Sequence, residues 1–268
     1  MINNGILPNV ETEVEHLRQR AQAWEAETGF LLDRIGVGPG WRCIDLACGP
    51  LGILGALSAR VGPRGQVMGV DTDPLQLEAA RRFTFDNHLD NVLVAARDAF
   101  QTGLQSGIFD LVHARFVLAM LGRPSELLRE MLLLARSGGV IAFQEPIASS
   151  WSCYPAVPAW ERLVDVLRQV YGRGGGDLDA GQRTYALLRG ADLADVQVRG
   201  AVQVSADGGP LRQAILQNSS ILRRRILEAG ILPTAEMEAL LAECRAAAAN
   251  PDTLVVSYIL TQVWGRKR

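Results

Sequence analysis

The chain has 268 residues, 48% apolar and 21% charged, with a formal net charge of −2. That is a globular composition, large enough for one α/β core or a core plus a cap, and it excludes a disordered chain. Basic residues gather only at 223–225 and 266–268, which read as solvated faces, so the footprint of a nucleic-acid binder is missing.

The opening residues, MINNGILPNVETEVEH, lack the basic start and apolar run of a signal peptide. No stretch approaches the roughly 20 apolar residues of a spanning helix. Cys43, Cys48, Cys153 and Cys244 match no zinc or redox spacing, and only His16, His88 and His113 could join them, so no metal is expected. A cytoplasmic location with reduced thiols and no membrane partner is the expectation.

Residues 11–35 carry Val14, Leu17, Ala21, Trp24 and Leu31 among charges, a helical period that places His16 toward solvent. GVGPG at 36–40 breaks the chain. From Trp41 strands and helices alternate: RCIDLAC is a strand and ILGALSARVG a helix, then GQVMGVD a strand. PLQLEAARRFTFDNH is a helix opened by Asp73 as cap and Pro74 in its first turn. NVLVAARD, FDLVHAR and GGVIAFQEP are three further strands, with the helix LLREMLLLAR before the last. This alternation predicts a parallel, doubly wound sheet.

After Pro146 the texture changes. Trp151, Tyr154, Trp160, Tyr171 and Tyr185 crowd a segment interrupted by GRGGG at 172–176, a candidate lid with a glycine hinge. DVQVRGAVQVS reads as a strand, about 211–249 as helical, and TLVVSYILTQVWGRKR as a final β-branched strand.

Ligands of an open parallel sheet bind beyond the carboxyl ends of its strands. There the chain places IDLACGPLGILG, with Asp45 at a strand end and Gly49, Pro50 and Gly52 turning into a helix. Backbone N–H groups at such a turn face a ligand. Asp71 ends the second strand, where a carboxylate can accept from both ribose hydroxyls. Asp98 lies just past the third, where it can accept from an adenine amino group.

IDLACGPLG, MGVDTDPLQLEAAR, ARDAF, FDLVHARFVLAML and LLLARSGGVIAFQEP together resemble the motifs of class I S-adenosylmethionine (SAM)-dependent methyltransferases. ETEVEHLRQRAQAW with LLDRIGVGPGW resembles the lead-in of a bacterial small-molecule subgroup. The resemblance implies an α/β fold with a mostly parallel, seven-stranded, Rossmann-like sheet, an antiparallel C-terminal strand and helical cap insertions. It divides the chain into a helical lead-in or cap (1–40), a SAM-binding core (41–147), and cap insertions with the last sheet strands in the same domain (148–268). It implies SAM as cofactor and S-adenosylhomocysteine (SAH) as product. Asp45, Ala47, Gly49 and Pro50 would hold the methionine end and Asp71 with Thr72 the ribose. Asp98 with Ala99 would hold the adenine, while Ala114 and Arg115 flank the cofactor. The chain departs from the family pattern in Ala47 for the first glycine, in Leu51 for the third with Gly52 behind it, and in Met120 for a histidine often seen after the fourth strand.

In-line methyl transfer needs alignment, and a base only where the nucleophile carries a proton. His113 is the candidate base, Arg115 could pin an acidic substrate or the cofactor carboxylate, and Glu145 could orient an acceptor or cap the segment after its strand. Trp24, Trp151, Tyr154 and Tyr171 are candidate substrate contacts. The expected reaction is methylation of an O or N nucleophile on a small molecule, such as a natural-product intermediate of secondary metabolism. A nicotinamide-dependent oxidoreductase and a SAM-fold protein without methylation activity stay open as alternatives. The sequence permits a homodimer without indicating one.

Overall fold

Alternate residues of the apolar runs point to opposite faces of one sheet, and that two-residue period sorts the core. A computed structural model describes residues 10–206 and 210–268. The opening nine residues and the His16 side chain lie outside that description. In chain order the elements begin α1 (Val10–Ala23), α2 (Glu25–Ile35), β1 (Arg42–Leu46), α3 (Leu54–Val61), β2 (Gln66–Asp71), α4 (Pro74–Asp86), β3 (Val92–Ala96) and β4 (Phe109–Arg115). They continue with α5 (Val117–Leu121), α6 (Pro124–Leu134), β5 (Ala135–Ile147), β6 (Ser152–Tyr154), α7 (Pro158–Arg173), α8 (Gly181–Arg189) and β7 (Leu193–Ala201). The last are β8 (Val204–Ser205), α9 (Pro210–Ile221), α10 (Arg223–Glu228), α11 (Thr234–Ala249), β9 (Leu254–Val256) and β10 (Ile259–Lys267).

The main sheet has seven strands in the order β3-β2-β1-β4-β5-β10-β7. β1 to β5 are parallel, and β10 runs antiparallel between β5 and β7, so the strand order reverses between β1 and β4. Ile44, Val112, Ile141 and Val263 pack on one face. Cys43, Leu111, Val140 and Trp264 pack on the other. A third core lies under the cap, around Trp160, Leu163, Ile215 and Leu241. No described helix is long and apolar enough to cross a membrane.

Several segments read as single elements are divided. The lead-in helix breaks at Trp24, whose fully buried indole donates to Tyr258 Oη at 3.0 Å; burying that ring turns the chain. The final strand divides around Ser257 and Tyr258, because β9 leaves the main sheet to pair with β6 and β8 in a small three-stranded sheet. DVQVRGAVQVS divides into β7 and β8 for the same reason. The helical stretch after 210 is three helices, with Gly230 at φ +62° and Pro233 before the last. α5 was not anticipated.

The glycine segment 172–176, expected as a hinge, is clamped instead. A Cβ on Gly176 would meet Ala119 O at 2.4 Å and Met120 O at 2.8 Å. Asp177 N–H donates to the Leu118 and Ala119 carbonyls at 3.2 and 3.0 Å. The end of α7 is thereby fixed to the end of α5. Gly176→Ala is expected to destabilise the protein by about 1–3 kcal/mol, the usual cost of forcing atoms into a packed site. Denaturant unfolding measures this, and an unchanged midpoint would mean that the contact yields freely.

Candidate active site

β1 delivers Asp45 to the carboxyl edge of the sheet with its side chain buried. Asp45 Oδ2 accepts the Ile53 N–H at 3.0 Å, fixing the entry to α3. Its Oδ1 lies 2.7 Å from His113 Nδ1 on β4, and His113 Nε2 lies 3.0 Å from Gln144 Oε1 on β5. Thr28 Oγ1 on α2 donates to Gln144 Oε1 at 3.3 Å and accepts from Arg115 Nη1 at 3.2 Å. These groups occupy one face of β1, β4 and β5, and they tie the lead-in helix to the sheet.

The turn after β1 carries Ala47 at φ +51°, Gly49 at φ +61° and Gly52 at φ +52°. Ala47 occupies the left-handed region that costs an L-residue roughly 1–2 kcal/mol. Gly52 is required twice over, because a Cβ there would stand 2.2 Å from Asp45 Oδ2.

Asp71, at the end of β2, accepts the Gly49 N–H at 2.9 Å through Oδ2 and the Thr72 and Asp73 N–H groups at 2.7 and 3.0 Å through Oδ1. Burial raises its pKa and these three N–H groups oppose the rise. Arg115 ends β4 with Nη2 donating to Gly52 O at 3.0 Å. Burial lowers the guanidinium's pKa, the nearby Asp45 charge raises it, and no carboxylate pairs with it among the described residues.

Asp45, Ala47, Gly49, Pro50, Asp71 and Thr72 line one cavity of about 190 Å³, with Arg115 and Phe116 across from them. Leu17, Arg20 and Ala21 of α1 lie over it. Cys48 also lines it, but burial first, then Asp45 and Asp71, holds its thiol protonated. A larger concavity, about 780 Å³, is at the opposite edge, around Arg42, Gln66 and Val92. The last turns of α3 and α4 arrive there, with carbonyls rather than N–H groups to offer.

A second, narrower cavity of about 50 Å³ adjoins the first. Arg20, Phe116 and Met120 line both. Trp151, Tyr171 and Tyr258 form its aromatic wall. Phe116 has φ +61°, unusual for an aromatic residue. Glu145 supports it: its fully buried carboxyl accepts the Leu118 and Ala119 N–H groups at 2.9 and 3.0 Å, capping α5.

The sequence-derived candidates are therefore dispersed. Seven of the cofactor candidates converge on the first cavity. Asp98, exposed, accepts the Phe100 N–H at 2.8 Å, and it and Ala99 lie outside that cavity. Ala114 is inside the core of the sheet, because its side chain falls on the face opposite Arg115. His113 and Glu145 are spent on internal partners and line neither cavity. Trp24 packs beneath Tyr258, and Tyr154 stands exposed on β6, whereas Trp151 and Tyr171 reach the second cavity. Arg20 and Tyr258 were missed. Arg20 could have been found as a cation on the apolar stripe of α1, between Leu17 and Trp24; Tyr258 was hidden inside a strand-like run.

A methyltransferase-domain model matches residues 38–173, half of the chain. The chain belongs to the class I SAM-dependent methyltransferase family. An uncharacterised 37.1 kDa transposon protein of Streptomyces fradiae is 34% identical over 51% of this chain and 40% of its own length. A demethylmenaquinone methyltransferase of Halalkalibacterium halodurans is 28% identical over 54% of this chain and 56% of its own length. The chain thus spans about half the length of these relatives. Among solved structures, the YcgJ protein of Bacillus subtilis superposes with a TM-score of 0.61 at 13% identity, covering 90% of this chain and 97% of that one. Geranyl diphosphate C-methyltransferase of Streptomyces coelicolor A3(2) superposes at 0.56 and 15% identity, covering 91% and 79%. Both show the fold.

In this member of the family, burial pushes Glu145 up to about 8 against the opposing pull of the α5 N–H groups. The folded state therefore keeps a proton that the unfolded chain loses near the ordinary carboxylate range. The Glu145 contribution is full below that range and is lost as pH rises toward 8, at up to about 1.4 kcal/mol per pH unit. Denaturation of wild type and Glu145→Gln from pH 5 to 9 should show wild type losing ground steadily to the variant. Parallel pH profiles would place the charge elsewhere.

Proposed function

We propose that this chain binds SAM in the first cavity and transfers its methyl group to a small molecule in the second. The observation that carries this reading is the convergence of a turn with positive φ, the half-buried strand-end carboxylate of Asp71 and a carboxylate-free arginine on one cavity. Those groups fit the cofactor's chemistry. The turn allows close approach of the backbone, Asp71 retains lone pairs for ribose hydroxyls, and Arg115 can pair with the methionine carboxylate. When bound, SAM supplies an electrophilic methyl on a sulfonium. Asp98, with one oxygen free of the Phe100 N–H, and Ala99 would receive the adenine at the β3 edge.

The chain's own residues then align and exclude water. Asp45, His113, Gln144 and Thr28 hold Arg115 and the turn in place, a positioning role for His113 rather than that of a base. Glu145 positions α5 and Phe116. Met120 offers a polarizable thioether at the junction, where no base is present. An oxygen nucleophile that is already ionised suits this lining. Support for a small-molecule acceptor comes from the names of similar proteins, a demethylmenaquinone methyltransferase and a geranyl diphosphate C-methyltransferase, and from the mostly apolar second cavity.

Calorimetry should show saturable SAM and SAH binding and no NAD binding. Asp71→Ala should weaken SAH binding by about 1.5–3 kcal/mol, the range for hydrogen bonds to a charged group, with the fold retained. NAD binding without SAM binding would overturn the assignment, and unchanged SAH affinity in Asp71→Ala would move the ribose elsewhere.

A further inference from the structure

Charge is distributed unevenly around the second cavity. Its lining contains no Asp, Glu, His, Lys or Cys. Its one permanent charge is Arg20, half-buried on α1, with its guanidinium 4.8 Å from the centre of the Phe116 ring. Among the described residues Arg20 has no carboxylate partner. A half-buried guanidinium with no anion beside it keeps its charge and its donors available to an anionic ligand.

Arg115 offers no competing explanation for Arg20. Both guanidiniums lie near Phe116, but Arg115 is anchored to Gly52 O and Thr28 beside the cofactor turn, and it does not line the second cavity. Arg20 lines both cavities. One arginine therefore serves a carboxylate in the first cavity, and the other is left over at the junction, where an acceptor must present its nucleophile.

Tyr258 adds a second polar group. Its oxygen accepts the Trp24 indole N–H at 3.0 Å, which leaves its own proton to donate. Burial raises its pKa, so the phenol keeps that proton at neutral pH. The rest of the wall is mostly flat or apolar, with Phe116, Trp151 and Leu167, and its other polar side chains, Tyr171 and Asn218, are uncharged. A cation and a neutral donor set among aromatic rings select a planar apolar body with one anionic group.

We infer that Arg20 is the specificity-determining residue of the acceptor site and that the acceptor is a planar, largely apolar small molecule carrying an anionic oxygen group. This rests on the methyl-transfer reading above. Such a nucleophile has no proton to lose, consistent with a cavity that contains no base. Arg20 neutralises the anion's charge on entry, and Tyr258 donates to it.

The test uses the 268-residue chain saturated with SAH and two single-ring probes of the same shape, benzoate and neutral benzamide, each titrated calorimetrically. Wild type should bind the carboxylate at least tenfold more tightly than the amide. Arg20→Met should abolish that preference while SAH affinity stays within about threefold of wild type, and Arg20→Lys should restore part of the preference. Three results would overturn the inference: failure of wild type to prefer the carboxylate, a preference that survives in Arg20→Met, or a loss of SAH affinity in Arg20→Met matching that in Arg115→Met. The last would make Arg20 a cofactor residue. Failure of wild type to bind SAH at all would instead remove the methyl-transfer reading beneath it.

Discussion

The carboxylate of Asp45 is sealed inside the protein, and the only groups that can compensate it are the ones the fold brings to it. Its two oxygens meet a ring nitrogen of β4 and the N–H that opens α3. Leaving a buried acceptor without its hydrogen-bond partner typically costs about 1–3 kcal/mol, more when the group is charged, so both partners are held where Asp45 needs them. The separation of β1 from β4, the path of the turn and the absence of a side chain at position 52 all follow from satisfying this one group. Arg115 feels the same charge, and through Thr28 so does α2. The lead-in helices are thus connected to the heart of the sheet.

Strain accompanies this arrangement at two non-glycine residues, Ala47 and Phe116, both left-handed and both lining the first cavity. Such conformations persist where the surroundings over-determine them. Here the surroundings are the Asp45 and Asp71 hydrogen bonds on one side and the Glu145 cap on the other. The cavity is therefore shaped by two rigid backbone features rather than by adaptable side chains, as expected of a site that must hold reacting atoms in line.

How much of this is legible in the sequence depends on the range over which each feature is determined. The first five strands and the placing of Asp45, Gly49 and Asp71 at strand ends and turn are legible, because hydrophobic period and turn chemistry are local. The Asp73 cap is legible for the same reason, and its carboxylate accepts the Leu75 and Gln76 N–H groups. The roles of His113 and Glu145 are not. Position at a strand end identifies them, but register decides whether a side chain meets a cavity or a partner: His113 meets Asp45 and Gln144 on the neighbouring strands, and Glu145 meets the N–H groups that open α5. The aromatic residues were legible only as a group. Trp151 and Tyr154 are three residues apart, yet the short β6 pairing turns one toward the cap core and leaves the other in solvent. Tyr258 is set by a break in a continuous β-branched run, which no local pattern announces.

The place of β10 has a consequence for how the molecule comes to be assembled. The last strand in the chain is not at the sheet's margin but in its interior, hydrogen-bonded to β5 on one side and β7 on the other. During synthesis the five parallel strands emerge first, and domains fold from the N-terminal side as they appear. Until β10 is made, β5 presents an open edge of eight residues, 140–147, nearly all buried in the folded protein, and β7 has no strand to join. Unpaired apolar edges are templates for wrong pairing. The half-sheet is thus exposed to wrong pairing until β10 is made, and that nine-residue strand acts as a zip that closes two edges in one step.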